Sequence, residues 1–579
     1  MKNNKIFSRL NALKFRRGSL SSLFVVIILF CSVKEGAAVT RAELLSDLFN
    51  ELGYSISSNV DLPPDISPGY QYAKPIGSAV RYGLIPKDYF MPDETVSRHD
   101  AVRMSLMMMG WGFEASLYES LGMLPDLAGS GDSVFFLAAE MKPQAPPALL
   151  IDGATPLSES GKKSLLSWVR SCKSSVMWNR VLSYGGTDLI IYRQGVARPG
   201  VSITPRSGNP VGASGNDPLY VAAIAMYPSD IDQRITFAGR LGAERTPLSD
   251  FVSAYDAVGA VNGGFFAGGR PMGSMLLDGV HAGKPLSGRS AIGWNNENGT
   301  FVFGPGYANI GVRMPGGYVV FDNYNVAPQM NQAAFYNSGV MSAAMGAALD
   351  ALELIITNGV VTERREGSAG NHFLPEGSSM IVARGNSRAL LEHLRPGDKI
   401  EISTSWETGV FQNCTNLIQA GPILVRDSKL VPDNETFKSD IIDKRHPRTI
   451  VGTDGKRIIW AVADGRSTIH SFGATLDEAR WIAKSLGMSN AINMDGGGSS
   501  ELIWRGVIVN SPSDGKERPL PYAVLMMPKG AALTRKNLPV EYGEFGYSTG
   551  DDNDAVYMDT YNPLSVIPGK VFTTIQETL

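Results

Sequence analysis

Near Pro218 the pattern of this chain changes, and the change restricts the folds open to it. From there to about residue 530 the sequence is a succession of short runs such as "LYVAAIAMY", "ALELIIT", "SSMIVA", "KIEIST", "TIVGTD" and "RIIWAVAD", divided by Gly, Asp and Asn turns. Short runs of β-branched and apolar residues between turn formers read as strands. Ahead of Pro218, from residue 40 to about 180, apolar residues recur at helical spacing between Pro/Gly turns. With 579 residues, the chain exceeds one core; at roughly 150 residues per domain, two to four units are expected. The expected fold class is α+β: a smaller, mostly α-helical region, then a mixed β-sheet domain with few helices.

The helical region has its own logic. Tyr72, Ile76, Ala79 and Val80 would share one helix face, and Gly83 can end that helix in a left-handed cap. Ser97, with Asp100 three residues on, starts the next helix. Thr40-Arg41-Ala42-Glu43-Leu44 looks like the same start in a neighbouring copy, and residues 153–171 like a degenerate third. The "F-x-P-D" and "S-R-x-D-A" pattern resembles an S-layer homology repeat, at ~50-residue spacing suited to stacked units sharing a core. That resemblance implies non-covalent attachment to a cell-wall polymer.

Residues 1–38 read as a signal peptide: Lys2, Lys5, Arg9, Lys14, Arg16 and Arg17, then an apolar run from Leu23 to Cys31, then Gly36-Ala37-Ala38. Cleavage there would change the formal charge from −3 to −9, because seven basic residues and one acidic residue leave. A mildly acidic mature protein without a dense Lys/Arg run argues against nucleic acid as a partner. No other stretch is long and apolar enough to span a membrane. The expected location is therefore secreted, at the cell surface or wall, or periplasmic if there is an outer membrane. Cys172 and Cys414, 242 positions apart, are expected to be free. The organisation is read as 39–185 helical anchoring region, 186–216 linker or edge segment, 217–530 catalytic domain and 531–579 tail.

Residues suited to chemistry lie at strand ends. Ile458 to Val462 lead into Asp464-Gly465-Arg466, a helix capped by Thr475 and Glu478 follows, and Ala491 to Met494 lead into Asp495-Gly496-Gly497-Gly498-Ser499-Ser500. Successive glycines let backbone N–H groups approach an anion closely. Further elements are Asn262-Gly263-Gly264 followed by Phe265-Phe266, then Gln419, Gly421 and Pro422, then Arg445, His446 and Arg448, and Arg289 in "SGRSAIGW". Singly, each has an ordinary structural reading.

The order N-G-G-F-F, R-S-A-I-G, G-P-I-L, P-R-T-x-x-G, D-G-R, the T-x-x-E-A helix and N-M-D-G-G-G-S-S resembles the phosphodiester glycosidase family over about residues 217–530. Glu501, after the serines, stands where a small or hydroxyl residue is expected. The resemblance implies hydrolysis of a glycosyl-1-phosphodiester, in which sugar C1–O–phosphate is cleaved. On that reading Asp495 and Asp464 are the catalytic carboxylates, Arg466 and Arg448 neutralise phosphate, and the backbone of Gly496, Gly497, Gly498 and Ser499 cradles it. Asn262, Gly263, Gly264, Asn493, Gly421 and Arg289 would complete substrate binding. The substrate partner would be a carbohydrate or glycan phosphodiester. No cofactor is required, although Ca²⁺ or Mg²⁺ on Asp464 and Asp495 is an open alternative. Two rival readings are a glycosidase for ordinary bonds of wall polymers and a non-catalytic glycan-binding surface protein.

Overall fold

The computed structural model describes residues 38–535, apart from 125–131, 206–207, 212–216, 240, 243, 315–316, 341–342, 345–349, 367–371 and 433–434. The signal-peptide reading of 1–38 and the tail reading of 531–579 thus fall almost wholly outside the described residues. Among these residues the fold is mixed α+β, with ten α-helices and several antiparallel sheets.

Six of the helices lie between Arg41 and Ser174. Three carry a hydroxyl N-cap: Thr40 Oγ1 accepts from Glu43 N, Ser97 Oγ from Asp100 N and Ser158 Oγ from Gly161 N. Each cap satisfies a donor that the first helical turn leaves open. Gly83, at φ +73°, ends the Ala73–Arg81 helix, its N–H reaching Val80 O at 2.9 Å. The residues preceding the three caps meet in a ring of backbone hydrogen bonds. Val96 N donates to Val39 O (2.9 Å), Leu157 N to Val96 O (2.8 Å), and Val39 N to Leu157 O (3.5 Å). All three side chains are buried.

The principal sheet has eight strands in the order Met177–Tyr184, Thr187–Gln194, Leu219–Met226, Ile458–Ala463, Arg448–Thr453, Asn490–Asn493, Ile423–Arg426 and Lys429–Leu430. Neighbours are antiparallel throughout. Within the segment read as linker or edge, 186–216, residues Thr187–Gln194 form a strand of this sheet. Gly185-Gly186 form a hairpin turn, and Thr187–Gln194 pairs along its whole length with Leu219–Met226. The boundary at 185 therefore falls inside a hairpin, where paired glycines at positive φ make a turn rather than a hinge. One face of the sheet is covered by the Leu476–Ser485 helix, whose Leu476, Ala479, Ile482 and Ala483 are buried and whose Thr475/Glu478 capping box forms as the spacing requires. A second, five-stranded sheet runs Val507–Ile508, Leu502–Trp504, Gly259–Asn262, Tyr522–Pro528, Ile231–Phe237. Its central strand ends at Asn262, so the ends of Arg448–Thr453 and Asn490–Asn493 come together with it. Cys172 and Cys414 are free thiols. No helix of the described residues is long and apolar enough to cross a membrane.

The helical region docks on the principal sheet through buried charge. Arg193 Nε pairs with Glu114 Oε1 at 2.6 Å, Glu114 Oε1 lies 3.3 Å from His470 Nδ1, and His470 Nε2 lies 2.9 Å from Asp464 Oδ2. Arg193 and Glu114 are fully buried. Gly110, at φ +80°, lets the two regions touch, since a side chain there would collide with the Ile469 carbonyl.

Candidate active site

Asn262 joins three elements. Its Nδ2 donates to Asp495 O (2.9 Å), and its Oδ1 accepts from Thr449 Oγ1 (2.8 Å) and Glu501 N (3.2 Å). It is 1% exposed. Its amide is thus spent on holding the Asp495 loop rather than open to a sugar. Gly263 and Gly264 are small because Tyr522 and Ile418 pack on their Cα atoms.

The Asp495 loop follows the end of strand Asn490–Asn493. The Asp495 carboxylate accepts from Gly496 N at 3.0 Å and faces the Ser499 hydroxyl. Burial pushes its pKa up to about 6, against the opposing pull of Ser499, Arg518 and the Gly496 amide. Removing a carboxylate from water penalises the charged form, so this group titrates where a catalytic acid or base is useful. The same burial, with Asp495 nearby, holds the Tyr522 hydroxyl well above its ordinary value.

Two guanidinium groups cover the glycines. A Cβ on Gly497 would lie 3.1 Å from Arg466 Nη2, and one on Gly498 would collide with Arg518 Nη2 and Asp514 Oδ2. Glycine at both positions leaves room for an arginine side chain against the backbone. Arg466 is itself at φ +64° and exposed, and its Nε reaches His446 Nδ1 at 3.3 Å. Arg518 Nε is held by Asp514 Oδ2 at 2.8 Å. Arg518 lies in a polar loop, and only its distance in space from Asp495 marks it; the sequence reading missed it.

Asn493 bridges to a second group of residues. Its Nδ2 donates to Gly421 O and Met494 O, both at 2.9 Å, and its Oδ1 is buried without a protein partner. Gly421, at φ +122°, lies against the Glu435 carboxylate, which accepts from Ser290 N and Ile423 N, both at 3.3 Å. Burial raises the Glu435 carboxyl above the usual range, although Ser290, the Ile423 amide and Arg289 oppose it. Arg289 stacks on Phe437 with its guanidinium carbon 3.6 Å from the ring centroid, and its Nη1 is buried and unpartnered. Phe437 and Phe265 have centroids 5.9 Å apart. Glu435 is a second half-buried carboxyl that sequence pattern alone did not single out, because a lone Glu in "PDNETFKSD" carries no motif.

Two of the assigned side chains, those of Asp464 and Arg448, are engaged within the protein. Asp464 is 1% exposed, and both its oxygens are occupied: Oδ1 by Asn510 Nδ2 (2.8 Å), Oδ2 by Ser511 N (2.7 Å) and His470 (2.9 Å). It belongs to the buried network beneath the helical region and shares no hydrogen-bonding partner with the Asp495 carboxylate. No group of three or more His, Cys, Asp and Glu suited to a metal converges among the described residues. Arg448 is 3% exposed, with Nε and Nη2 donated to the carbonyls of Ala474, Ile441 and Lys444. Burial and the nearby Arg466 push its pKa down to about 10. Its guanidinium ties loops together, leaving Arg466 as the exposed cation of the pair.

The chain is 37% identical over 111 residues to the prophage-derived protein YomE of Bacillus subtilis, which is 19% of this chain and 17% of that protein. It is 32% identical over 103 residues to N-acetylglucosamine-1-phosphodiester alpha-N-acetylglucosaminidase of Mus musculus, covering 17% and 20% of the two chains. The chain thus spans about a fifth of the length of the curated relatives it matches. A crystal structure of a Burkholderia pseudomallei protein superposes with a TM-score of 0.49 at 18% identity, over 61% of this chain and 96% of that one. Residues 350–527, which include Gly421, Glu435, Arg466, Asp495 and Arg518, match the model of the phosphodiester glycosidase family.

Proposed function

We propose that this protein hydrolyses a glycosyl-1-phosphodiester, with the Asp495 loop as the reaction centre. The observation that carries the reading is a desolvated carboxyl next to three glycines, two of which, Gly497 and Gly498, each face a guanidinium group. As the C1–O bond breaks, charge grows on the departing phosphate oxygen, and preformed cations and N–H donors stabilise that charge most. Arg466 and Arg518 take this role, and Asp495 acts at the anomeric carbon as nucleophile or as base for water. Glu435, rather than Asp464, is the second carboxyl, with Arg289 and Phe437 beside it and Asn493 Oδ1 facing a sugar hydroxyl. An ordinary glycoside lacks the anionic leaving group for which the arginines are placed, so the expected preference is for the phosphodiester. The measurement is kcat/KM on a glycosyl-1-phosphate diester against the same sugar's nitrophenyl glycoside. A ratio below one would favour the simple-glycosidase reading.

The role of Glu435 has its own test. Glu435→Gln is expected to lower kcat about 100-fold, the usual worth of one acid–base group, and to remove one limb of the pH–rate profile. Turnover within twofold of wild type would exclude it from the chemistry. We further propose export and attachment to a cell-wall polymer through residues 41–174, supported by the three capped helices closed by the Val39–Val96–Leu157 ring. Binding of the purified protein to wall sacculi with and without their secondary polymers tests this.

A further inference from the structure

Asn510 closes the far end of the Asp495 loop, and the proposed chemistry gives it no part. It is 0% exposed, and its side-chain amide makes three hydrogen bonds. Nδ2 donates to Ser500 O (3.2 Å) and to Asp464 Oδ1 (2.8 Å), and Oδ1 accepts from Leu502 N (2.8 Å). Both amide donors are therefore spent. Turning the amide over would set its oxygen against the Asp464 carboxylate and its NH₂ against the Leu502 N–H, so the partners fix its orientation. The backbone beside it is anchored too. Val509 N donates to Leu502 O (3.0 Å), and the buried Tyr220 hydroxyl, on strand Leu219–Met226, donates to Val509 O (2.5 Å).

Asn262 acts alike at the near end, through Asp495 O and Glu501 N. Two buried asparagines thus hold the 495–502 segment by its main chain, one taking Asp495 and Glu501, the other Ser500 and Leu502. Between these grips lies the short 3₁₀ turn Gly497–Ser499. Glycine loses more backbone freedom on ordering than any other residue, so a run of three depends on side chains from outside to hold one conformation. Asparagine suits the task because it donates and accepts at once. Aspartate would bring no donor and would set a second carboxylate against Asp464; leucine would take all three bonds away.

We propose that Asn510 is a positioning residue, which through Ser500 O and Leu502 N fixes the Asp495 loop, and so its carboxylate, relative to Arg466 and Arg518. The groups facing Asp495 are the Ser499 hydroxyl, the Gly496 amide, Arg518 with its partner Asp514, and Tyr522, and substitution of Asn510 leaves all of them in the chain. The kinetic arm of the test rests on the hydrolase reading; the titration arm does not. Asn510→Ala is expected to lower kcat on a glycosyl-1-phosphate diester about 100-fold, as for a misplacement of about an ångström, with KM changed less than about threefold. A looser loop also admits water to the carboxylate, so the Asp495 titration midpoint should fall from about 6 to below about 5. Carbon-13 NMR of aspartate-labelled protein reads that midpoint, the Asp495 signal being the one absent from Asp495→Asn. Glu114→Ala, which destabilises the fold from a distance, should leave kcat and the midpoint at their wild-type values. Should Asn510→Ala not fold, Asn510→Ser, whose short hydroxyl cannot meet all three partners, carries the same expectations. A midpoint still near 6 in a folded Asn510 variant would overturn the assignment whatever the turnover. So would an unchanged kcat on a diester that the wild type hydrolyses, or an equal fall of the midpoint in Glu114→Ala. If no phosphodiester is turned over, the midpoint decides the role of Asn510 on its own.

Discussion

Asp495→Asn is expected to abolish hydrolysis while making the protein harder to unfold. Both effects have one cause. The folded structure removes the carboxylate from water, and its pKa of about 6 records that the charged form is disfavoured by burial. A carboxyl whose folded pKa lies above its unfolded value stabilises the protein below the unfolded value, near 4, and loses that contribution as pH rises through 6. Above pH 6 the ionised carboxylate therefore carries a penalty of about 1–3 kcal/mol, reduced by whatever solvent reaches the loop. Asparagine cannot ionise and escapes it. The variant should lose at least a thousandfold in kcat on a glycosyl-1-phosphate diester, as for removal of a nucleophile or base. It should also unfold at higher urea concentration than wild type at pH 8, with the gap closing towards pH 4. Wild-type activity should fall as pH drops through about 6, since the reactive form is the carboxylate. Turnover near wild type would end the case for Asp495, whatever happens to stability.

Glu114→Ala should do the reverse, costing stability while leaving the site chemistry in place. Glu114 is the anion between two buried cations, Arg193 at 2.6 Å and His470 at 3.3 Å. Removing it strands an uncompensated guanidinium, and breaking a buried pair in this way costs about 3–5 kcal/mol. The pH dependence follows from two shifts. Burial alone would lower the His470 imidazole, but Glu114 and Asp464 outweigh it and hold it above its usual value. Burial alone would raise Glu114, but Arg193 and His470 hold it below. The His470 contribution is complete below about pH 6.5 and is lost as pH rises through the raised folded value; the Glu114 contribution is complete above about pH 4.5 and is lost as pH falls through the lowered one. The stability gap between wild type and Glu114→Ala, measured by urea unfolding, should be widest between those limits. A flat, sub-1 kcal/mol difference would show that the network contributes little. Asp464→Asn belongs with this variant rather than with Asp495→Asn, because its oxygens face His470, Asn510 and Ser511.

How much of this could be read in the sequence depends on the range of the interactions. Caps and turns are local, so Ser97 with Asp100, Thr475 with Glu478 and the stop at Gly83 were legible from spacing. The Asp495-Gly496-Gly497-Gly498 loop was legible too, since three glycines imply something lying close to the backbone. What lay there was not. Arg518 comes from 20 residues further on, and Glu435 from a loop with no motif. Asn262, Asp464 and Arg448 were correctly placed at strand ends, but a strand end has an outward and an inward side. All three side chains point inward, to a backbone carbonyl or a buried imidazole. Nothing in residue type or spacing distinguishes a side chain that meets substrate from one that meets the neighbouring loop. The hairpin at Gly185-Gly186 was hidden for a similar reason: its partner strand, Leu219–Met226, lies beyond a Gly/Pro/Ser-rich stretch that resembles a boundary.

That hairpin also governs how the molecule can be divided. The strand Leu219–Met226 is buried along all eight of its residues, sandwiched between Thr187–Gln194 and Ile458–Ala463. A fragment cut at the apparent border near residue 217 would bare one flank of that strand, a row of unsatisfied amides and carbonyls set in Val, Ile and Ala. Such a flank recruits other chains, so a soluble catalytic half would have to begin no later than Met177 and bring the whole hairpin with it.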